Sequence, residues 1–95
     1  MEEALAHLNL AIQCLQQEVL KLRQQGTRVG AIESYPRGNR TYYNYTYYEV
    51  GRPMRRYLPL KQKAQVEMEI RRGRQVEQLE VAIALLEQAR ESMIA

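Results

Sequence analysis

The sequence predicts an α+β domain in which an N-terminal helix, a three-stranded antiparallel β-meander and a long C-terminal helix follow in order, the helices forming a coiled-coil-like stem. Three observations predict it. Apolar residues recur at alternating spacings of three and four from Leu5 to Leu22, the texture turns to tyrosine, threonine and turn formers between Thr27 and Leu60, and no proline interrupts the helix-favouring run from Lys61 onward. A chain of 95 residues has room for a single domain, divided into helix one (1–26), a basic tyrosine-rich sheet (27–60) and helix two (61–95).

Leu5, Leu8, Ile12, Leu15, Val19 and Leu22 share one stripe of a helix over about residues 2 to 25. Gly26 ends it, because glycine tolerates the left-handed conformation after a last helical turn. With Leu5, Ile12 and Val19 at a and Leu8, Leu15 and Leu22 at d, the stripe suits a parallel two-stranded coiled coil, in which Glu18 would reach Arg23 of a partner. The same stripe also suits packing on the chain's own second helix. Both arrangements are consistent with the spacing.

In the middle third, Arg28 to Tyr35 read as a first strand and Pro36-Arg37-Gly38-Asn39 as the turn after it. Arg40 to Val50 alternate with period two, so Tyr43, Tyr45 and Tyr47 fall on one face and Tyr42, Asn44, Thr46 and Tyr48 on the other. Gly51-Arg52 offers a hairpin turn, and Pro53 to Leu58 form a third strand that its proline confines to an edge or a strand start. Helix two spans about 61 to 94. Gly73 near its middle costs about 1 kcal/mol relative to alanine and marks a bend or a close contact. The run Val81 to Leu86 is apolar around much of the helix, which predicts burial on two sides. Leu79, Ile83 and Leu86 therefore join the six stripe residues of helix one as the expected oligomerisation set of a homodimer.

Composition removes several classes. Hydrophobic residues at 45% and charged residues at 26% exclude a disordered chain, while a mean hydropathy of −0.55 and the lack of a long apolar run exclude a membrane-spanning one. One cysteine, Cys14, and one histidine, His7, supply neither a disulfide nor a zinc site, so no metal or other cofactor is expected. The acidic opening Met1-Glu2-Glu3 lacks the basic start of a secretory signal and points to the cytoplasm. No phosphate loop, nucleotide fingerprint or nucleophile elbow is present, and general acid–base pairs would have to come from glutamates placed beside arginines. The expectation is a non-enzyme.

Charge is unevenly spread. Residues 28–74 hold 11 cations against 4 glutamates, whereas residues 1–27 and 75–95 are both net acidic. A basic sheet on an acidic stem is the signature of a polyanion-binding head. Nine of the central cations are arginine, which grips phosphates and guanine edges in bidentate fashion. Arg37, Arg40, Arg52, Arg55 and Arg56 form the expected contact set, extended by Lys61 and Lys63, with Asn44 and Thr46 as base readers. Tyr43, Tyr45 and Tyr47 supply core bulk in a chain without Phe or Trp, while Tyr42, Tyr48 and Tyr57 are candidates to stack on bases. The expected function is nucleic-acid binding, DNA before RNA. The competing class is a structural or adaptor protein that oligomerises through its heptad helices and binds an acidic protein partner.

Gly26-Thr27-Arg28, Tyr42-Tyr43-Asn44-Tyr45 and Gly51-Arg52-Pro53-Met54-Arg55-Arg56-Tyr57-Leu58-Pro59, followed by a long charged helix, resemble a set of short uncharacterised prokaryotic proteins with a tyrosine-rich hairpin and a basic edge of the form R-Y-L/I-P. Those proteins commonly carry two cysteines in the first turn; here Pro36-Arg37-Gly38-Asn39 stands there, so the resemblance implies no metal. Residues 28–74 are also similar to the three-stranded-sheet arm-binding domains of tyrosine integrases and the related plant-type DNA-binding fold. That similarity implies a sheet that enters the major groove, in a regulatory protein or one associated with a phage or mobile element.

Overall fold

The computed structural model describes residues 2–94. Its elements run α1 (Glu2–Gln25), β1 (Ala31–Arg37), β2 (Arg40–Glu49), β3 (Arg52–Leu58) and α2 (Leu60–Ile94). The strands form an antiparallel sheet of order β1-β2-β3, an uninterrupted meander. The particle is long and thin, 65 × 26 × 19 Å. The sheet sits over the first half of α2, and α1 packs antiparallel along the second half.

The heptad stripe is occupied within the chain. Val19 and Leu22 of α1 are buried against Val76 of α2, with Leu79 and Ile83 packed around them, and Ile12 is buried on the same side of α1. Leu5, Leu8, Leu15 and Leu86 are half-buried. The expected oligomerisation residues thus line the seam of an intramolecular helical hairpin. Arg23, expected to meet Glu18 of a partner, instead bonds Glu80 of its own chain, and Arg90 donates to Asn9 at 3.2 Å nearer the open end. Burial of the Val81–Leu86 run is one-sided: Ile83 and Leu86 face the seam, while Val81 and Leu85 remain 62% and 61% exposed.

A second core joins sheet to helix. Tyr45 and Leu58 are buried against Val66 and Ile70 of α2, flanked by Ile32, Tyr43 and Tyr47. The alternation of β2 sorts its tyrosines as expected, with Tyr43, Tyr45 and Tyr47 on the helix side. Tyr45 also donates its hydroxyl to the carbonyl of Val29, fixing the chain just before β1.

Three boundaries differ from expectation. β1 begins at Ala31 rather than Arg28, because the Arg28 amide bonds the Glu69 carbonyl at 3.0 Å and its side chain lies over the Tyr45 ring. Pro36 and Arg37 extend β1 and leave only Gly38-Asn39 in the first turn, since an edge strand tolerates a missing N–H. The second turn is Val50-Gly51, both at positive φ (51° and 76°), so Arg52 belongs to β3. Gly73 marks a close contact and no break: α2 runs through it, and the Arg28 carbonyl oxygen lies 2.6 Å from where a Cβ would stand.

Candidate nucleic-acid interface

Helix α2 covers one face of the sheet and leaves the other bare. Strand register determines which side chains share the bare face: Arg37 pairs with Arg40, Tyr35 with Tyr42, Glu33 with Asn44 and Ala31 with Thr46, while Tyr57 pairs with Asn44, Arg55 with Thr46 and Pro53 with Tyr48. Paired residues in an antiparallel sheet project to the same side. Seven expected contact residues, Arg37, Arg40, Tyr42, Asn44, Thr46, Tyr48 and Arg55, therefore lie together.

The remaining four lie elsewhere. Arg52 and Arg56 alternate with Arg55 along β3 and project to the helix side, where Arg56 stands 5.9 Å above the Tyr47 ring and contacts its hydroxyl at 3.5 Å. A contiguous Arg55-Arg56 pair cannot serve one face of a strand. Lys61 is exposed in the first turn of α2. Lys63 is engaged beneath the sheet, 4.5 Å above the Tyr43 ring and 3.0 Å from Glu67. Its hydrogen bond to Glu67 holds the amine above its ordinary pKa. Arg28 and Arg72 are likewise structural: Arg28 meets Glu69 at 3.4 Å, and Arg72 donates to the carbonyls of Gln25 and Gly26 that end α1.

On the bare face, Tyr35, Tyr42 and Tyr57 form a row across all three strands. Tyr35 and Tyr42 stack with ring centroids 5.8 Å apart at 26°, and Tyr42 and Tyr57 stand 6.4 Å apart at 50°. Tyr35 is the residue that sequence reading missed. Counting outward from the two-residue turn Gly38-Asn39 finds it directly opposite Tyr42; a four-residue turn from Pro36 to Asn39 ends β1 at Tyr35 and sets it opposite Arg40 instead. Arg37 and Arg40 lie one step beyond the row at one end, and Arg55 one step beyond Tyr57 at the other.

Two details refine the face. Glu33 accepts from Arg55 at 3.2 Å and so masks the single cation at that end. Of the two expected base readers, Thr46 donates its hydroxyl to the Ala31 carbonyl at 3.3 Å. A concavity of about 650 Å³ opens at the end of the sheet where β1 begins, lined from both faces, by Thr46, Tyr48 and Arg55 on one and Tyr45, Tyr47 and Met54 on the other. Among the described residues no cluster of His, Cys, Asp or Glu is placed to hold a metal, and no helix is long and apolar enough to cross a membrane.

Comparison with known proteins finds no matching family model, no similar curated protein and no similar solved structure. The geometry of the chain itself therefore carries the functional argument.

Proposed function

We propose that the chain is a small nucleic-acid-binding protein whose ligand, DNA in the first instance, lies on the bare face of the sheet. One observation carries this reading: an uncovered sheet face that combines four tyrosines with Arg37, Arg40 and Arg55, on a basic head set apart from an acidic stem. Cations supply backbone attraction and aromatic rings supply contact with bases. The acidic stem keeps a polyanion from lying along it and leaves the head as the point of engagement. A cytoplasmic setting goes with such a ligand. A homodimer presenting two heads would have to form through the exposed side of the stem, because the heptad seam is filled.

The test is fluorescence anisotropy with labelled oligonucleotides across a salt series. Each phosphate contact contributes roughly 0.7 to 0.9 to the slope of log affinity against log salt. Replacing Arg37, Arg40 and Arg55 together by alanine should flatten that slope by roughly 2 to 3, whereas Arg52→Ala with Arg56→Ala, on the opposite face, should change it less. Absence of binding by the native chain at low salt would sink the reading.

A further inference from the structure

We infer that the bare face takes single-stranded rather than duplex nucleic acid, with Tyr35, Tyr42 and Tyr57 as a stacking row for unpaired bases; this deepens, and rests on, the nucleic-acid reading above. Ring spacing is the first reason. Bases in a duplex rise about 3.4 Å per step, whereas the tyrosine centroids are 5.8 and 6.4 Å apart. Rings at nearly double that rise cannot pair one-to-one with the stacked bases of a helix. They suit bases drawn apart on an extended strand.

The second reason is the chemistry at the centre of the face, where Tyr57 on the outer strand β3 is 56% exposed. Base edges are read by hydrogen-bonding side chains such as Arg, Asn and Gln, but the row offers aromatic faces, with Asn44 its one adjacent amide.

Charge placement is the third reason. Arg37 and Arg40 stand beyond the tyrosines at the β1–β2 turn, and Arg55 stands beyond Tyr57 along β3, so cations bracket the row at both ends. A strand crossing the face meets Arg37 and Arg40, then rings, then Arg55, for which a phosphate competes with Glu33. Its backbone is held at the margins and its bases in the middle, the arrangement of a sequence-tolerant single-strand platform.

The chain has no tryptophan, so tyrosine emission gives a direct optical report. The probes are an oligothymidylate and an oligouridylate of about 10 nucleotides and a mixed-sequence duplex of equal length, at one fixed ionic strength. Expected are tighter binding of a single strand than of the duplex, quenching of tyrosine emission on binding, and loss of about tenfold in single-strand affinity for Tyr42→Leu or Tyr57→Leu. Tyr42→Phe keeps the ring and should keep the affinity. Circular dichroism melts confirm that each variant folds. A preference between the two single strands identifies the ligand as DNA or RNA, and either preference supports the inference. It is overturned if the duplex binds as well as or better than both single strands, or if the leucine variants bind like the parent while the arginine variants lose affinity. Failure of every probe to bind overturns the nucleic-acid reading itself, a result distinct from duplex preference.

Discussion

The backbone carbonyl of Arg28 rests on Gly73, 2.6 Å from where a Cβ would stand, and this contact fastens the sheet to the stem. The chain leaves α1 on one side of α2 and must pass to the sheet on another. It does so across the one residue of α2 that carries no side chain to obstruct it. The Arg28 amide, bonded to Glu69 at 3.0 Å, locks the crossing from the other direction.

Glycine to alanine inside a helix ordinarily stabilises by about 1 kcal/mol, and at Gly73 the sign should reverse. A methyl group there meets backbone, which yields less readily than a flexible side chain. Gly73→Ala should destabilise by about 1 to 2 kcal/mol after the helix gain is counted. Urea denaturation measures it; a stabilised variant would show that the crossing is not clamped.

Tyr45→Phe tests the second fastening, the hydroxyl donated to the Val29 carbonyl. Loss of one largely buried hydrogen bond should cost about 1 kcal/mol. The same substitution should loosen the start of β1, seen as faster amide exchange at Ala31 and Ile32 with little change in the α1–α2 seam. Uniform acceleration across the chain would contradict that local role.

Val50 holds a positive φ of 51° while 98% exposed, a conformation that a β-branched residue adopts at a cost of about 1 to 2 kcal/mol. No packing at that tip offsets the strain. Val50→Asn should therefore raise stability by about 1 kcal/mol, a gain of about 4 to 8 °C in Tm for a domain of this size.

These effects divide what could be read in the sequence from what could not. Period-three-and-four spacing identified helix one, a proline-free helix-favouring run identified helix two, and period two on β2 separated its helix-facing tyrosines from the rest, because such patterns follow from local backbone geometry. The Arg28–Gly73 crossing joins residues far apart in the chain and leaves no local signature beyond an unexplained glycine. An a/d stripe is the same whether its partner is a second chain or a second helix, so only the fold reveals the antiparallel hairpin. The sheet face was legible on β2 alone. Locating Tyr35, and separating Arg55 from Arg56 by face, required the register set by two short turns.

Glu33→Gln should strengthen nucleic-acid binding severalfold at low salt. It removes the carboxylate that competes with a phosphate for Arg55, so affinity rises while the number of phosphate contacts, and with it the salt slope, stays the same. Because the native pair is exposed, folding stability should change little. Unchanged affinity with Glu33→Gln would place the ligand away from that end of the face.

Lys63 gives a pH signature. Its amine is held above the ordinary value of 10.5, first by the hydrogen bond to Glu67 and then by the charges of Glu67 and Tyr43, with partial desolvation opposing. The folded state thus favours the charged amine. Its contribution is fully present at neutral pH and disappears as pH rises through the raised pKa. The stability difference between the native chain and Lys63→Gln should hold through neutral pH and shrink only above pH 10.5. A difference that changes near neutrality would assign the effect to another group.

The stem's two halves come from opposite ends of the chain: Asn9 and Arg90, which meet across it, are 81 residues apart. During synthesis α1 leaves the ribosome with its leucine stripe bare and waits for α2. At translation rates of about 5 to 20 residues per second, that wait lasts about 4 to 16 s. The two hairpins of the sheet can close in the meantime, since each needs only its own neighbours. Nascent α1 is the segment most open to a chaperone, or to the same stripe emerging on a neighbouring polysome.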